Sequence, residues 1–560
     1  MSTSLRFAAL AALATTTSIG CGGGSSAGAP QVDDTGIASG DAPVDAPSDA
    51  PSDAPTPTAG CTIARKGSAG YALQATILAP AGPIVGEVLV DAAGKIACVD
   101  KSCAATAGYD KATVISCPGS VLSPGLVNAH DHTDYDASPP IAHGVTRFDH
   151  RNDWRTGASA LPKSNTTSDP KQLAAIELRF VMGGTTSING SGGTPGLARN
   201  VASFKAPAWT EGLTGQTTFF DTFPLGDQKG TQLTTGCGYP KIRAASTAFA
   251  SPAYTPHVAE GVNLAAENEL TCLAPGSGNV LVTDKTGIIH AVGINAKDVD
   301  VIAKAKAKVI WSPRSNIDLY GNTAPVTELK TAGVTIALGT DWLPSGSMNE
   351  LRELQCADSL NEKYFAKTFT DRELWEMATK NGAMAVGFAS EIGAIVVGMQ
   401  ADLAMYDASS SKEYRAVIDA GVEQVQLVMR GGKLLYGDAS ILDATAAGCG
   451  ALDVCGVAKV ACVDGTGVSL ADAQAGAASS YPLFFCKGTT PKNEPSCVPY
   501  RDTYKLGTSA TDRDGDGIDD GADDCKEIFN PARPMDGTAQ ADVDSDGVGD
   551  ACDTTPLASP

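Results

Sequence analysis

Apolar and polar residues along the chain switch between two periods. Short runs rich in β-branched residues at 185–189, 288–290, 309–311 and 334–338 read as strands. Between them, apolar residues recur at helical spacing over 171–182, 296–307 and 371–386. The last of these opens with Thr370, Asp371, Arg372 and Glu373, a capping box in which hydroxyl and carboxylate satisfy the first free backbone amides. Strands alternating with helices predict an α/β fold with a parallel (β/α)8 TIM barrel over 119–390. Outside that span the pattern is strand-like alone, at 72–78, 87–90 and 96–99 before it and at 403–406, 425–430 and 433–436 after it. Segments 59–118 and 391–445 could therefore join into one small sheet domain.

The candidate chemistry lies where the strands end. His130 and His132 close the run beginning at Val121, and residues two apart on a strand point to the same side and can grip one ion. His257 follows the stretch 251–256, with Glu260 expected one turn away at the start of a helical pattern. His290 ends a short apolar run, and Asp341 ends the most strand-like run of the region. Taken singly, a histidine after an apolar run is usually packed or surface-exposed, and a lone strand-end aspartate usually caps a helix. The set is different, because the chain has six histidines and four of them close predicted strands. The other two, His143 and His150, fall in the polar stretch 141–155, read as a solvated loop that could also touch substrate.

These residues resemble the amidohydrolase superfamily, in its branch of cytosine and guanine deaminase-like and chlorotriazine hydrolase-like enzymes. The resemblance covers about 70–440. It rests on the motif from Pro124 through Asn128 and Ala129 to His130 and His132, on Gly183 to Ser187, on His257 to Gly261, and on Ser312 to Asn316. Leu338 to Asp341, Ala378 to Gly387 and Gly398 to Leu403 complete it. It implies a metal, zinc or iron, held by His130, His132, His257 and Asp341, with Glu260 and His290 acting on the substrate, and a composite β-sandwich built from the two flanking segments. Binuclear relatives use a carboxylated lysine on a middle strand. The candidate strand 217–221 has no lysine, so one metal is expected.

Three neutral imidazoles and a carboxylate leave an open position on such an ion, where water loses a proton near neutral pH and can attack a polarised carbon. Asp341 can take that proton, Glu260 can carry it to the departing or ring nitrogen, and His290 can hydrogen-bond the oxygen that gains charge. Arg314, Asn316, Trp342 and Ser345 lie beyond the last two strands and are candidates for reading the substrate.

The N-terminus suggests where the protein resides. Arg6 precedes an apolar run from Phe7 to about Leu13, and Ser18, Ile19, Gly20 and Cys21 close it in the manner of a bacterial lipoprotein signal peptide over 1–20. Cys21 would then be lipidated, and 21–58, rich in Gly, Ala, Pro, Ser and Asp, would be a disordered tether to a membrane at the cell envelope or cell surface. A simple secreted protein is the alternative. Fifteen cysteines fit export, since setting Cys21 aside leaves an even number suited to disulfides, with a Cys-rich region at 446–508.

The segment 509–553 carries a second kind of site. Asp512, Asp514, Asp516 and Asp520, then Asp542, Asp544, Asp546 and Asp550, repeat one pattern of alternate carboxylates followed by glycine, which suits calcium. The segment looks like a thrombospondin type 3 repeat, and that similarity implies a Cys525 to Cys552 bridge. The bland alternative is an acidic solvated tail.

A chain of 560 residues has room for a barrel and these appendages, and a net charge of −22 argues against nucleic acid as a partner. These features predict a surface-anchored hydrolase with one divalent metal, acting on carbon–nitrogen bonds other than peptide bonds in a small heterocyclic substrate. It would be a deaminase or a cyclic amide hydrolase, and a halide leaving group would use the same residues. The competing reading is a non-catalytic calcium-dependent adhesion protein on the same scaffold. No feature of the sequence sets an oligomeric state.

Overall fold

The structure is a computed structural model that describes residues 60–202, 209–214 and 216–558. Cys21 and the expected signal and tether lie outside the described residues. The chain enters with β1 (Thr62–Arg65), β2 (Tyr71–Ala79), β3 (Gly82–Val90), β4 (Ile96–Asp100) and β5 (Thr113–Pro124). Parallel strands follow: β6 (Leu126–His132), β7 (Thr185–Ser191), β8 (Arg199–Asn200), β9 (Phe219–Asp221), β10 (Tyr254–Val258), β11 (Gly287–His290), β12 (Lys308–Trp311) and β13 (Thr335–Leu338). The chain then adds β14 (Leu403–Asp407), β15 (Val425–Arg430), β16 (Lys433–Asp438), β17 (Cys449–Val454) and β18 (Val457–Cys462).

The parallel strands are barrel-like, but they form a five-stranded sheet, β13-β12-β11-β10-β9, and a three-stranded one, β6-β7-β8, rather than the single closed ring expected. At one seam β6 meets the end of β13 through a parallel bridge between Asp131 and Asp341, with His132 N–H donating to Asp341 O at 2.7 Å. At the other, Thr218 N–H donates to Val201 O at 2.9 Å. The ladders are interrupted there because β8 has only two residues and because the chain leaves extended geometry at Asp341.

Val127, Ala129, Ile289, Ile310 and Ala337 pack with Ala383, Val386 and Phe388 in one apolar cluster. Thr218 Oγ1 donates to Val386 O at 2.6 Å, and Asn381 Nδ2 donates to Ile336 O at 2.9 Å. The segment around 380–388 thus covers the N-terminal ends of the strands and leaves the C-terminal ends free for chemistry. The capping box at Thr370 and Glu373 is present, but the expected helix over 371–386 is two helices, Asp371–Met377 and Lys380–Ala385. Thr379 breaks it: its backbone is non-helical, and its hydroxyl donates back to Trp375 O at 2.8 Å.

The flanking segments do come together, and strands distant in the sheet order, such as β3 and β18, share one apolar core. They share one ten-stranded sheet, β17-β18-β16-β15-β14-β5-β2-β3-β4, with β1 on β5. The twelve-residue β5 is the reason, since it pairs with β1, β2 and β14 and so fuses both halves. Leu73, Ile77, Val88 and Ile115 from the first half pack with Leu403, Met405, Leu427 and Met429 from the second. Because β17 and β18 continue this sheet past β16, the expected boundary at 445/446 falls inside it.

Candidate metal centre and its relatives

His130 and His132 end β6, just beyond a shift in its register against β7 between Asn128 and Asp131. His257 lies on β10, and Asp341 follows β13 by three residues. The Nε2 atoms of His130 and His132 stand 3.1 and 3.2 Å from that of His257, and Asp341 Oδ1 is 3.4 and 3.8 Å from the Nε2 atoms of His130 and His132. Ligands around a tetrahedral ion at about 2.0–2.1 Å stand roughly 3.3 Å apart, so the four atoms have the spacing of a first coordination sphere.

The opposite ring nitrogens fix the tautomers. His257 Nδ1 faces Asp221 O at 3.2 Å, and His130 Nδ1 faces Ser312 Oγ at 3.1 Å. His132 Nδ1 faces Ser191 Oγ at 3.4 Å, and that hydroxyl gives its own proton to Asp134 at 2.6 Å. Each Nδ1 proton therefore has an oxygen acceptor, and three Nε2 lone pairs converge. Burial holds His130 and His257 well below the usual imidazole range and His132 down at about 4, so the rings are neutral. His130, His132 and His257 form one group of close ligand atoms and His130, His290 and Asp341 another, and a divalent ion such as zinc or iron fits this nitrogen and oxygen set.

The backbone is strained around these groups. Ala259, His290 and Asp341 have φ of 56°, 73° and 65°, in the left-handed region that non-glycine residues seldom adopt. Gly339 allows a close approach, since a Cβ there would lie 2.6 Å from both the nitrogen and the Cβ of His130.

Glu260 and His290 face each other across the site, with Glu260 Oε2 3.6 Å from His290 Nε2. The expected helical turn between His257 and Glu260 is absent, because Ala259 turns the chain left-handed and the next helix starts at Leu264. Tyr320 donates its hydroxyl proton to Glu260 Oε1 at 2.7 Å and accepts from Trp154 Nε1 at 2.9 Å. Arg151 Nη1 lies 3.8 Å from Glu260 Oε2. Burial raises the Glu260 carboxyl above the ordinary glutamate value, while Arg151 and Tyr320 pull the other way. His290 is oriented by a chain of donors: Trp311 Nε1 to Thr323 Oγ1 at 2.6 Å, Thr323 Oγ1 to Asn316 Oδ1 at 3.5 Å, and Asn316 Nδ2 to His290 Nδ1 at 3.0 Å. His290 Nε2 therefore carries the proton and points into the site.

Above the ligands opens a cavity of about 550 Å³ whose lining includes Tyr135, Trp154, Arg155, Lys163, Phe223 and Trp342. The Trp154 and Trp342 rings stand 5.5 Å apart between centroids.

A family model described as the amidohydrolase family matches residues 262–435. That span is amidohydrolase-like. It contains His290, Asn316 and Asp341, whereas His130, His132, His257 and Glu260 lie before it. A 5-methylthioadenosine/S-adenosylhomocysteine deaminase of Halobacterium salinarum is 37% identical over 131 residues, 23% of this chain and 30% of the relative. The chain thus spans under a third of that relative's length. A namesake of Nitratidesulfovibrio vulgaris is 25% identical over 389 residues, 62% of this chain and 87% of the relative. Among solved structures, an adenosine deaminase from Xanthomonas campestris with bound zinc is 18% identical, with a TM-score of 0.46, covering 68% of this chain and 95% of that one.

Not every residue singled out in the sequence reaches the cavity above these groups. Trp342 lines it. Arg314 does not; its guanidinium is buried against Pro495 O at 2.5 Å and Glu494 at 3.4 Å. Asn316 orients His290, and Ser345 holds Trp342 Nε1 at 2.5 Å. His150 is not on a solvated loop: it is fully buried, caps a short helix and has Nε2 3.2 Å from Glu269. His143 pairs with Asp318 at 2.8 Å. On β9, where a bridging lysine would have stood, Phe220 packs 5.3–5.9 Å from the rings of His130, His132 and His257. Tyr320, Trp154 and Arg151 were not identified from the sequence. Trp154 and Arg151 sit in the 141–155 stretch read as a loop, and no local signal marks Tyr320.

In the C-terminal segment, one carboxylate oxygen from each of Asp512, Asp514 and Asp516 lies within 4.8 Å of the others, as do those of Asp542, Asp544 and Asp546. Burial first, and then the neighbouring carboxylates, push Asp514 up to about 8; burial holds Asp516 at about 7. Asp520 is turned to Arg513, which donates to it from Nε at 2.7 Å, and Asp550 accepts from Val543 N at 2.9 Å. Seven disulfides join all fourteen cysteines of the described residues, Cys525 to Cys552 among them.

Proposed function

We propose that the protein is a hydrolase with one divalent metal that cleaves a carbon–nitrogen bond, other than a peptide bond, on a nitrogen heterocycle, and that it acts as a deaminase of an adenine-type nucleoside. The observation that carries this reading is the convergence of three neutral Nε2 atoms and the Asp341 carboxylate opposite the facing pair Glu260 and His290. The match of residues 262–435 to the amidohydrolase family and the relatives named as adenosine-type deaminases support it. The non-catalytic adhesion alternative is set aside, because a scaffold has no use for strained, buried His290 and Asp341 or for a buried Glu260.

His130, His132, His257 and Asp341 would hold the ion. When bound, a zinc or iron ion there lowers the pKa of coordinated water into the neutral range and so supplies the nucleophile. The protein's residues do the rest. Asp341 keeps Oδ1 toward the ligand histidines while Ser315 Oγ donates to Oδ2 at 2.6 Å, which holds the carboxylate in one orientation for taking a proton. Glu260, buried and raised, can accept a proton and return it to a ring or leaving nitrogen. The proton on His290 Nε2 can donate to the oxygen that gains charge. The aromatic rings of Trp154 and Trp342 at the cavity wall suit a flat heterocycle.

The C-terminal acidic loops are read as calcium sites, and Cys21 as a lipidated anchor of an exported protein. The pairing of all fourteen cysteines of the described residues supports export, since disulfides persist in oxidising compartments. The test is elemental analysis of protein made in an oxidising compartment, beside a His130→Ala, His132→Ala variant, with ammonia release assayed on adenine nucleosides. About one zinc or iron per chain is expected, lost in the variant while the fold persists. Two transition-metal equivalents in active protein would refute the single-metal site, and no ammonia from any adenine nucleoside would refute the substrate.

A further inference from the structure

The C-terminal segment grips the loops that carry the chemistry. Arg533 is 9% exposed; its Nη1 donates to Ile294 O at 2.7 Å and to Val292 O at 3.5 Å, while Nε and Nη2 hold the Asp536 carboxylate at 2.7 and 3.0 Å. Met535 N–H donates to Val262 O at 3.1 Å. The two carbonyls held by Arg533 lie two and four residues past His290, and the one held by Met535 lies two past Glu260. Ile528 and Phe365 form an antiparallel bridge, and Phe529 N–H donates to Tyr364 O at 2.8 Å. Farther upstream, Arg501 Nη1 donates to Tyr320 O at 2.8 Å, and the Tyr504 hydroxyl donates to Gly321 O at 3.3 Å. The segments bearing Glu260, His290 and Tyr320 therefore each have a backbone carbonyl held by residues 501–535.

The same segment is tied to the acidic loops. Gly517 lies so close to Thr503 that a Cβ would meet its carbonyl at 2.3 Å, which sets the first loop against Tyr504. Gln540 Nε2 donates to Asp516 Oδ2 at 2.9 Å, Asp523 Oδ1 at 2.8 Å and Asn530 Oδ1 at 3.0 Å, joining that loop to the stretch before Arg533. Asp514 and Asp550 are 1% and 2% exposed, and Oδ2 of each has no hydrogen-bond partner. Buried carboxylate oxygens without a donor call for a cation. Without one, clustered aspartates repel at short range, and the loops lose the shape that Tyr504 and Gln540 pack against.

We propose that calcium in the two acidic loops holds 501–535 against the barrel, so that calcium occupancy sets the order of the loops bearing Glu260, His290 and Tyr320. It rests on the calcium reading above and adds regulation of the hydrolase by a second metal. Arg533 is a positioning residue in this scheme, acting through the backbone at Val292 and Ile294.

Amide hydrogen exchange on the whole mature protein, with no need of a substrate, tests it. Calcium uptake is followed by calorimetry, and elemental analysis checks that EGTA leaves the barrel metal in place. Stripping calcium is expected to speed exchange at 258–264, 290–296 and 318–322 about tenfold or more, a loss of local stability of about 1.4 kcal/mol, and to leave β15 unchanged. Arg533→Gln, with calcium present, is expected to speed the first two regions and spare the third, and Arg533→Lys to restore part of the protection. Uptake of calcium with unchanged exchange in these loops overturns the coupling while leaving the calcium sites intact. Absence of uptake overturns the calcium reading and the proposal with it. Fast exchange spread evenly over the barrel, β15 included, also overturns it, because that would be global loosening.

Discussion

Tyr320→Phe isolates one hydrogen bond at the proposed proton carrier. The change removes the hydroxyl that donates to Glu260 Oε1 at 2.7 Å and accepts from Trp154 Nε1 at 2.9 Å, and leaves the ring in place. A hydrogen bond to a charged acceptor contributes roughly 1.5–3 kcal/mol, here to the ionised form of Glu260 alone. Burial already raises this carboxyl, so losing Tyr320 leaves burial opposed chiefly by Arg151 and moves it further up. The second consequence, an indole N–H without its acceptor, is smaller, because Trp154 is only part-buried at the cavity wall and water can reach it. If Glu260 must be ionised to accept a proton, the acid limb of the kcat/KM profile shifts to higher pH. On that limb, activity falls about 10- to 100-fold and recovers as the pH rises. The assay is ammonia release as a function of pH, for the parent, Tyr320→Phe and Trp154→Phe, the last keeping the Tyr320 donor and shifting less. An acid limb that stays in place, or moves to lower pH, in a Tyr320→Phe protein of normal metal content would refute the assignment of Glu260.

Three further outcomes are expected. Asn316→Leu should leave metal content unchanged but cut kcat by about 10- to 100-fold with little change in KM, since it removes the donor that fixes the His290 tautomer rather than a ligand; loss of metal would contradict this. Burial raises Glu177 to about 8, with Thr194 N and Asn200 Nδ2 both donating to Oε1 at 2.8 Å. A raised acid favours folding fully below its unfolded value and loses that contribution as pH rises through its folded value. Stability should therefore decline between about pH 4.5 and 8 by up to roughly 1.4 kcal/mol per unit, and Glu177→Gln should flatten that slope in pH-dependent thermal melts. The Cys525–Cys552 bridge closes a separation of 27 residues, so replacing both cysteines by serine should cost the C-terminal segment about 3.5 kcal/mol on the loop-entropy account and weaken calcium uptake by calorimetry.

The buried charges behind the site explain why part of it was invisible in the sequence. Arg151 is 1% exposed and lies 2.6 Å from Asp227, 3.6 Å from Glu269 and 3.8 Å from Glu260, carboxylates 76 to 118 residues away along the chain. Removing a member of such a set typically costs about 3–5 kcal/mol, because the partners are left buried and unpaired. Nothing local marks Arg151 for this role; its neighbours read as a polar loop. The same holds for Arg314, placed correctly beyond a barrel strand. As the second residue of the helix Pro313–Tyr320 it projects toward Glu494, while Asn316, two positions on, reaches His290.

By itself the sequence marked the main parallel strands and the candidate ligand set. His130 and His132 close the run that begins at Val121, His257 follows the short stretch 251–256, and Asp341 follows the strand-like run from Val334; those signals are local and survive without tertiary context. It also determined the capping box at Thr370 and Glu373, and an even set of cysteines once Cys21 is put aside. Only the tertiary structure decided that β5 fuses the flanking strands into one sheet, that the parallel strands fall into two sheets meeting at two thin seams, and that Thr379 breaks a helix. It alone brought Tyr320 and Trp154 to Glu260, and Arg533 to the loop after His290. These depend on contacts between residues tens to hundreds of positions apart, whose energies come from burial and pairing in three dimensions and leave no periodic trace along the chain.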